Sequence, residues 1–231
     1  MGEFAEIVAL AADRRGGMEV LERALADTPA LDPAAIACTP DDRILSAMTR
    51  RVFYAGFSSK GIDGKWNAFE DAFDRFDPAR CAAMPEDRFD ALMKDGRIVR
   101  HGPKIQSVPA NAQFVLDLAS AHGSAGRFFA DWPDSDYVGL LEALKKRGAR
   151  LGGETGMRFL RSIGKPAFIP TGDVVAALIR EGVLAKAPSG KGDFKAMQQA
   201  FNRWSAETGR DLTAISRILA MSIGDIGRGR H

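Results

Sequence analysis

Apolar residues along this chain recur at three- and four-residue steps, the spacing that puts them on one face of an α-helix. Phe4, Ile7, Val8, Leu10 and Ala11 make the first such face over residues 3–15, and Gly16-Gly17 ends it. A second helix is predicted from Met18 to Leu25. Asp27 to Asp42, with Pro29, Pro33 and Pro40, reads as a loop holding at most one short helical turn. Thr39-Pro40-Asp41-Asp42 then supplies a helix start, and Ile44, Leu45, Met48, Val52 and Phe53 carry that helix to a stop near Gly56. Phe57 to Trp66 is polar, bears glycine and is flanked by aromatics, so it reads as a loop of functional character. Residues 65–75 read as a helix with Trp66, Phe69 and Phe73 on one face, and short helices follow over 79–83 and from Pro85 to Met93. Between Arg97 and Asp117 the pattern gives a turn and a long helix, whose Pro109 either kinks it or marks its first turn. Further helices are expected around Arg127-Phe128-Phe129, over Tyr137 to Lys146, from Asp173 to Ile179, from Phe194 to Thr208, and from an Asp211 cap to Met221. Gly224 to His231 reads as a frayed tail. Strand-like alternation is hard to find, so the class is all-α, with about ten helices in two packed subdomains of a single domain. The N- and C-terminal helices are expected to pack together.

The segment Lys145 to Arg180 organises the rest. A helix ends in Lys145, Lys146 and Arg147, a turn rich in glycine follows (Gly148, Gly152, Gly153), and a second helix opens near Thr155 and runs to about Ile163. Two short helices joined in this way leave backbone N–H groups unpaired at a helix N-terminus, and such groups suit a phosphate oxygen. The expected contact is to a nucleic-acid backbone, gripped without reading sequence. A Pro-containing run then leads to Asp173, which is either a helix N-cap or a carboxylate with chemistry to do.

Charge sharpens this picture only locally. The net charge of +2 does not announce a polyanionic partner, but Lys145 to Arg161 gathers six basic residues against Glu154 alone. Such a patch fits either a small footprint on DNA or a solvated helix face. Cys38 and Cys81 are the only cysteines; both read as buried small side chains, and neither a disulfide framework nor a zinc site follows from them. No window approaches a membrane span, and Glu3 and Glu6 stand where a signal peptide would carry positive charge. A cytoplasmic monomer with a nucleic-acid partner, no membrane contact, no metal and no cofactor is expected.

Several blocks are similar to the DNA-3-methyladenine glycosylase I family, the Tag-like branch of the helix-hairpin-helix glycosylases. They are Tyr54-Ala55-Gly56-Phe57-Ser58, Phe76-Asp77-Pro78, Cys81 to Met84, Gly96 to His101, Lys104-Ile105-Gln106 with Asn111-Ala112, and Leu144 to Gly148, spanning about residues 44–165. The resemblance implies a glycosylase that flips an alkylated purine from duplex DNA and cuts its N-glycosidic bond. It implies that Tyr54, Phe57, Ser58, Ser59 and Trp66 form the base pocket or the wedge, and that Lys145, Lys146, Arg147, Gly148, Gly152, Gly153 and Thr155 hold the DNA backbone. Gly164 to Asp173 resembles the wider superfamily's proline-containing loop, which makes Asp173 the catalytic carboxylate. Two positions differ: the family's glutamate and tryptophan fall at Arg51 and Ser59, and its zinc-binding cysteines and histidines are missing. The other readings are a helix-hairpin-helix DNA-binding protein without glycosylase chemistry, and a purely structural helical module.

Overall fold

The computed structural model describes residues 3–223, and the tail expected at Gly224 to His231 lies outside them. In chain order the helices are α1 (Phe4–Arg15), α2 (Met18–Ala26), α3 (Pro33–Ala37), α4 (Asp41–Tyr54), α5 (Ser59–Asp63), α6 (Trp66–Ala72), α7 (Pro78–Ala82), α8 (Glu86–Lys94), α9 (Gly102–Ile105), α10 (Ser107–His122), α11 (Ala125–Asp131), α12 (Tyr137–Arg147), α13 (Glu154–Ser162), α14 (Gly172–Arg180), α15 (Lys191–Thr208) and α16 (Leu212–Met221), with 3-10 turns at Asp74–Phe76 and Asp134–Asp136. The described residues contain no strand, as the pattern requires. They hold more helices than the ten or so expected, because several are single turns set by a cap rather than by periodicity. Asp32 accepts from the Ala35 amide at 2.8 Å to start α3, and Asp77 accepts from that of Arg80 at 2.9 Å to start α7. In the same way Ser58 caps α5, so the expected loop after Phe57 contains a helical turn.

Two compact units emerge, one of residues 1–30, 134–138 and 166–231, the other of 31–133 and 139–165. In the first, α1 packs on α15 and α16. Its core is a run of aromatic contacts from Phe4 through Trp204 and Phe201 to Phe168 and Tyr137, with the Tyr137 hydroxyl donating to the Phe168 carbonyl at 3.0 Å. The segment leading to α14 is buried without being helical, so its amides need partners. Thr213 and Ser216 of α16 accept from the amides of Ala167 and Ile169 at 3.0 and 3.3 Å.

The second unit is built around α4, which packs on α10 and α13 and buries Ile44, Leu45, Met48, Val52 and Phe53. Below it Trp66 stacks on Phe69 and Phe76, and Phe73 on both phenylalanines. Glu70 of α6 accepts from Arg43 at 2.8 and 2.9 Å, from Ser46 at 2.9 Å and from the Trp66 indole at 3.0 Å, tying α6 to α4. The helix expected to reach residue 75 ends at Ala72, because Asp74, Arg75 and Phe76 turn left-handed at φ of 51°, 57° and 60°. Arg43 donating to the Arg75 carbonyl at 2.8 Å and the full burial of Phe76 hold that turn. Pro109 sits in the first turn of α10, where its missing N–H is harmless. Of the cysteines, Cys81 is buried, donates to the Phe73 carbonyl at 3.2 Å and has its thiol pushed up to about 12 by burial. Cys38 is exposed, against expectation, because it closes the short α3 at the surface. No helix among the described residues is long and apolar enough to cross a membrane.

Candidate functional site

The hairpin is formed by α12 and α13 with residues 148–153 between them. Lys145, Lys146 and Arg147 fill the last turn of α12 and are exposed, where cations complement the carbonyl end of a helix. Leu151 is fully buried and fills the bend: a Cβ at Gly156 would lie 2.3 Å from its carbonyl oxygen, and one at Gly148 would lie 2.7 Å from its Cδ1. Those two glycines therefore serve packing. Asn111 of α10, itself fully buried, clamps the turn, donating to the Ala149 carbonyl at 3.0 Å and accepting from the Ala149 amide at 2.8 Å. Gly153, at φ 60°, is exposed and caps α13 with no side-chain acceptor, so the first amides of α13 stay open to an external oxygen.

A cavity of about 580 Å³ opens in the same unit. Arg51 and Tyr54 of α4 form one wall, Ala55, Phe57, Ser59 and Asp63 the next, and Glu154, Thr155 and Arg158 of α13 the third. Its size falls within the roughly 300–1,000 Å³ of small-molecule sites. Most of its charges are already matched. Tyr54 donates through a very short hydrogen bond to Asp63, and burial together with that bond raises the phenol above its ordinary range. Arg50 stands 3.6 Å from Asp63, and Glu154 holds Arg158 one helical turn away at 2.6 Å. Arg51 lies 5.1 Å from the centroid of the Tyr54 ring. A second cavity of about 400 Å³ shares Arg51 and Tyr54 and includes Trp66 and Glu70.

The floor of the loop is set by Lys104 of α9, only 3% exposed. Its ammonium donates to the carbonyls of Phe53, at 3.3 Å, and Ala55, where α4 leaves them unpaired, and it stands 4.6 Å from the centroid of Phe57. Burial, and then the charge of Arg150, lowers its pKa. Phe57 above it remains 39% exposed and meets His101 edge-on.

The structure thus brings Tyr54, Phe57, Ser59 and Thr155 to one cavity and places Ser58 beside it as the cap of α5. Trp66 stands apart from these: it is 7% exposed, stacked on two phenylalanines and covered by the Arg50 guanidinium 4.4 Å from its centroid, so its ring belongs to the core. Asp173 lies in the other unit, in the first turn of α14. It is not the N-cap; Thr171 is, and Asp173 is exposed with no hydrogen bond or ion pair among the described residues. Sequence reasoning passed over Asp63, Glu154, Arg158 and the clamp by Asn111. The Glu154/Arg158 spacing of one helical turn was a readable signal for a surface pair but not for its place in a cavity wall.

A family profile described as "Methyladenine glycosylase" matches residues 36–140. The chain is 30% identical over 129 residues to the DNA-3-methyladenine glycosylase of Haemophilus influenzae, covering 48% of this chain and 70% of that protein. It is 36% identical over 64 residues to DNA-3-methyladenine glycosylase 1 of Escherichia coli, 28% of this chain and 34% of that protein. Among solved structures, a mutant of 3-methyladenine DNA glycosylase I from Staphylococcus aureus matches with a TM-score of 0.50 at 23% identity, covering 66% of this chain and 86% of that one, a likeness of fold.

Proposed function

The chain belongs to the methyladenine glycosylase family, and from that premise we propose that it is a base-excision repair enzyme which everts an altered purine of the 3-methyladenine type from duplex DNA and hydrolyses its N-glycosidic bond. The cavity walled by Tyr54, Phe57 and α13 is the observation that carries this reading. It is large enough for one purine, has an aromatic wall at Tyr54, and keeps the exposed ring of Phe57 at its mouth to fill the gap left in the stack. Extracting a nucleotide costs a few kcal/mol, least where the base is damaged and poorly paired, so selection begins before the pocket is filled.

The hairpin supplies the grip. Lys145, Lys146 and Arg147 with the open amides of α13 neutralise phosphates at a small footprint, consistent with a chain whose net charge is only +2. For the chemistry, the bond between C1′ and the base nitrogen breaks with its electron pair leaving on the base, and a water completes the sugar. A carboxylate stabilises the positive charge growing on the sugar and takes the proton of that water. We assign this role to Asp173 on the resemblance of Gly164 to Asp173 to the superfamily's proline-containing loop; its exposed side chain is engaged by no other group among the described residues. DNA of the cytoplasmic nucleoid is the substrate, and one chain suffices.

Free base released from methylated duplex DNA, separated by chromatography, tests the proposal. The wild-type chain is expected to release purine, and Asp173→Asn to bind the duplex with unchanged affinity while releasing none. Binding without release by the wild type would leave a DNA-binding protein without glycosylase chemistry.

A further inference from the structure

The cavity wall carries two carboxylates, Asp63 and Glu154, and they are held differently. Glu154 is a surface ion pair: two Arg158 nitrogens, at 2.7 and 2.6 Å, fall on its Oε1, and its side chain is 61% exposed. Asp63 closes the single turn of α5, which Ser58 caps and the buried Ile62 fixes to the core. Its Oδ1 accepts the very short hydrogen bond from the Tyr54 hydroxyl and stands 3.6 Å from the Arg50 guanidinium, itself lying over Trp66. Both partners take the same oxygen. Oδ2 is left without a donor among the described residues, on a side chain that lines the cavity and is aimed by two neighbours. Arg51 and Arg158 in the same walls can only donate, so Oδ2 is the oriented acceptor there.

A carboxylate oxygen fixed in this way binds an N–H donor and rejects a lone pair. Turned by the same edge, a 6-aminopurine presents its N6 amino group and a 6-oxopurine presents O6, an acceptor. Alkylation strengthens the match. A purine methylated at a ring nitrogen is cationic while still joined to its sugar, so its amino hydrogens are stronger donors and the bond to a carboxylate is charge-assisted on both sides. Undamaged adenine is neutral and gains less. Resting on the glycosylase reading above, we propose that Asp63 is a specificity-determining residue of the cavity, its Oδ2 accepting from the N6 amino group of an everted alkylated adenine while Tyr54 and Arg50 hold its Oδ1. Tyr54 acts here through its hydroxyl, its ring being faced by the Arg51 guanidinium.

The test compares single-turnover release of 3-methyladenine and of 3-methylguanine from methylated duplex DNA, by the wild type and by Asp63→Asn. A parallel titration follows protein fluorescence as either free base is added. The wild type is expected to favour 3-methyladenine by roughly 10- to 100-fold. In Asp63→Asn the donors Tyr54 and Arg50 retain the amide oxygen, the amino end takes the place of Oδ2, and the ratio shifts toward 3-methylguanine by roughly 10-fold at an unchanged melting temperature. Equal or faster release of 3-methylguanine by the wild type, a readout that needs no variant, overturns the assignment while leaving a glycosylase. A ratio untouched by Asp63→Asn does the same. Tighter binding of free 3-methyladenine, lost in Asp63→Asn, without release of either base upholds Asp63 and removes the glycosylase reading. Neither release nor preferential binding removes both.

Discussion

Asn111 is a buried amide whose both ends are spent on one backbone unit of the hairpin turn, Ala149. Replacing it with alanine strands the Ala149 amide and carbonyl. Asn111→Ala is therefore expected to lower stability by about 1–3 kcal/mol in urea unfolding and to weaken duplex binding, although the side chain never reaches DNA. Lys104 acts at the same scale on the other side of the site. With its ammonium on the carbonyls of Phe53 and Ala55, Lys104→Met should release the loop that carries Phe57 and reduce base release more than it reduces DNA binding. Neither role was legible beforehand. Asn111 and Lys104 stood out in the sequence only as members of a familial run, and what a buried polar group bonds to is decided by elements far away in the chain. Phe57 stood out as an aromatic flanking a polar loop and Tyr54 as a member of a familial run, and both line the cavity. Trp66, from the same neighbourhood, went to the core because helical spacing aligns it with Phe69 and Phe73.

Among the elements, the long amphipathic helices followed from periodicity, and α4, α10, α15 and α16 lie close to where the pattern put them. Of the single-turn helices, α7 lies close to the short helix expected over 79–83 and α3 within the segment given one helical turn, whereas α5, read as loop, depends on the Ser58 cap rather than on an apolar stripe. The hairpin was readable in outline from its glycines and basic residues, but not in which glycine does what. Gly156, unremarked in the sequence, is the closest approach, with Leu151 backbone where its Cβ would be. Gly156→Ala should thus cost about 1–3 kcal/mol through displaced backbone and impair duplex binding, whereas a change at the open Gly153 acts through its positive φ alone. The exposed cations of α12 are expected to behave as independent phosphate contacts. Lys145→Gln and Lys146→Gln should each reduce the slope of log affinity against log salt by about one, equally for every duplex sequence.

At the scale of the whole chain, the segment matched by the family profile falls almost wholly within the second unit, which holds both the hairpin and the cavity. The integrity of that unit leans on Glu70. Burial works to raise its carboxyl, but hydrogen bonds from Arg43, Ser46 and Trp66 and the Arg43 charge outweigh it and hold the pKa below the ordinary 4.5. A depressed folded-state pKa means that the stabilisation is complete above the unfolded value and is lost as pH falls through the folded one. The urea midpoint should accordingly drop steeply below about pH 4.5, and Glu70→Gln should be less stable at neutral pH with a flatter acid limb. The central claim, that one nucleotide leaves the duplex for the cavity of Tyr54 and Phe57, is tested most directly by 2-aminopurine fluorescence next to a single altered purine. The account predicts a rise in fluorescence on binding that is lost in Phe57→Ala while salt-dependent binding persists. Binding by the wild type with no change in the fluorescence would contradict it.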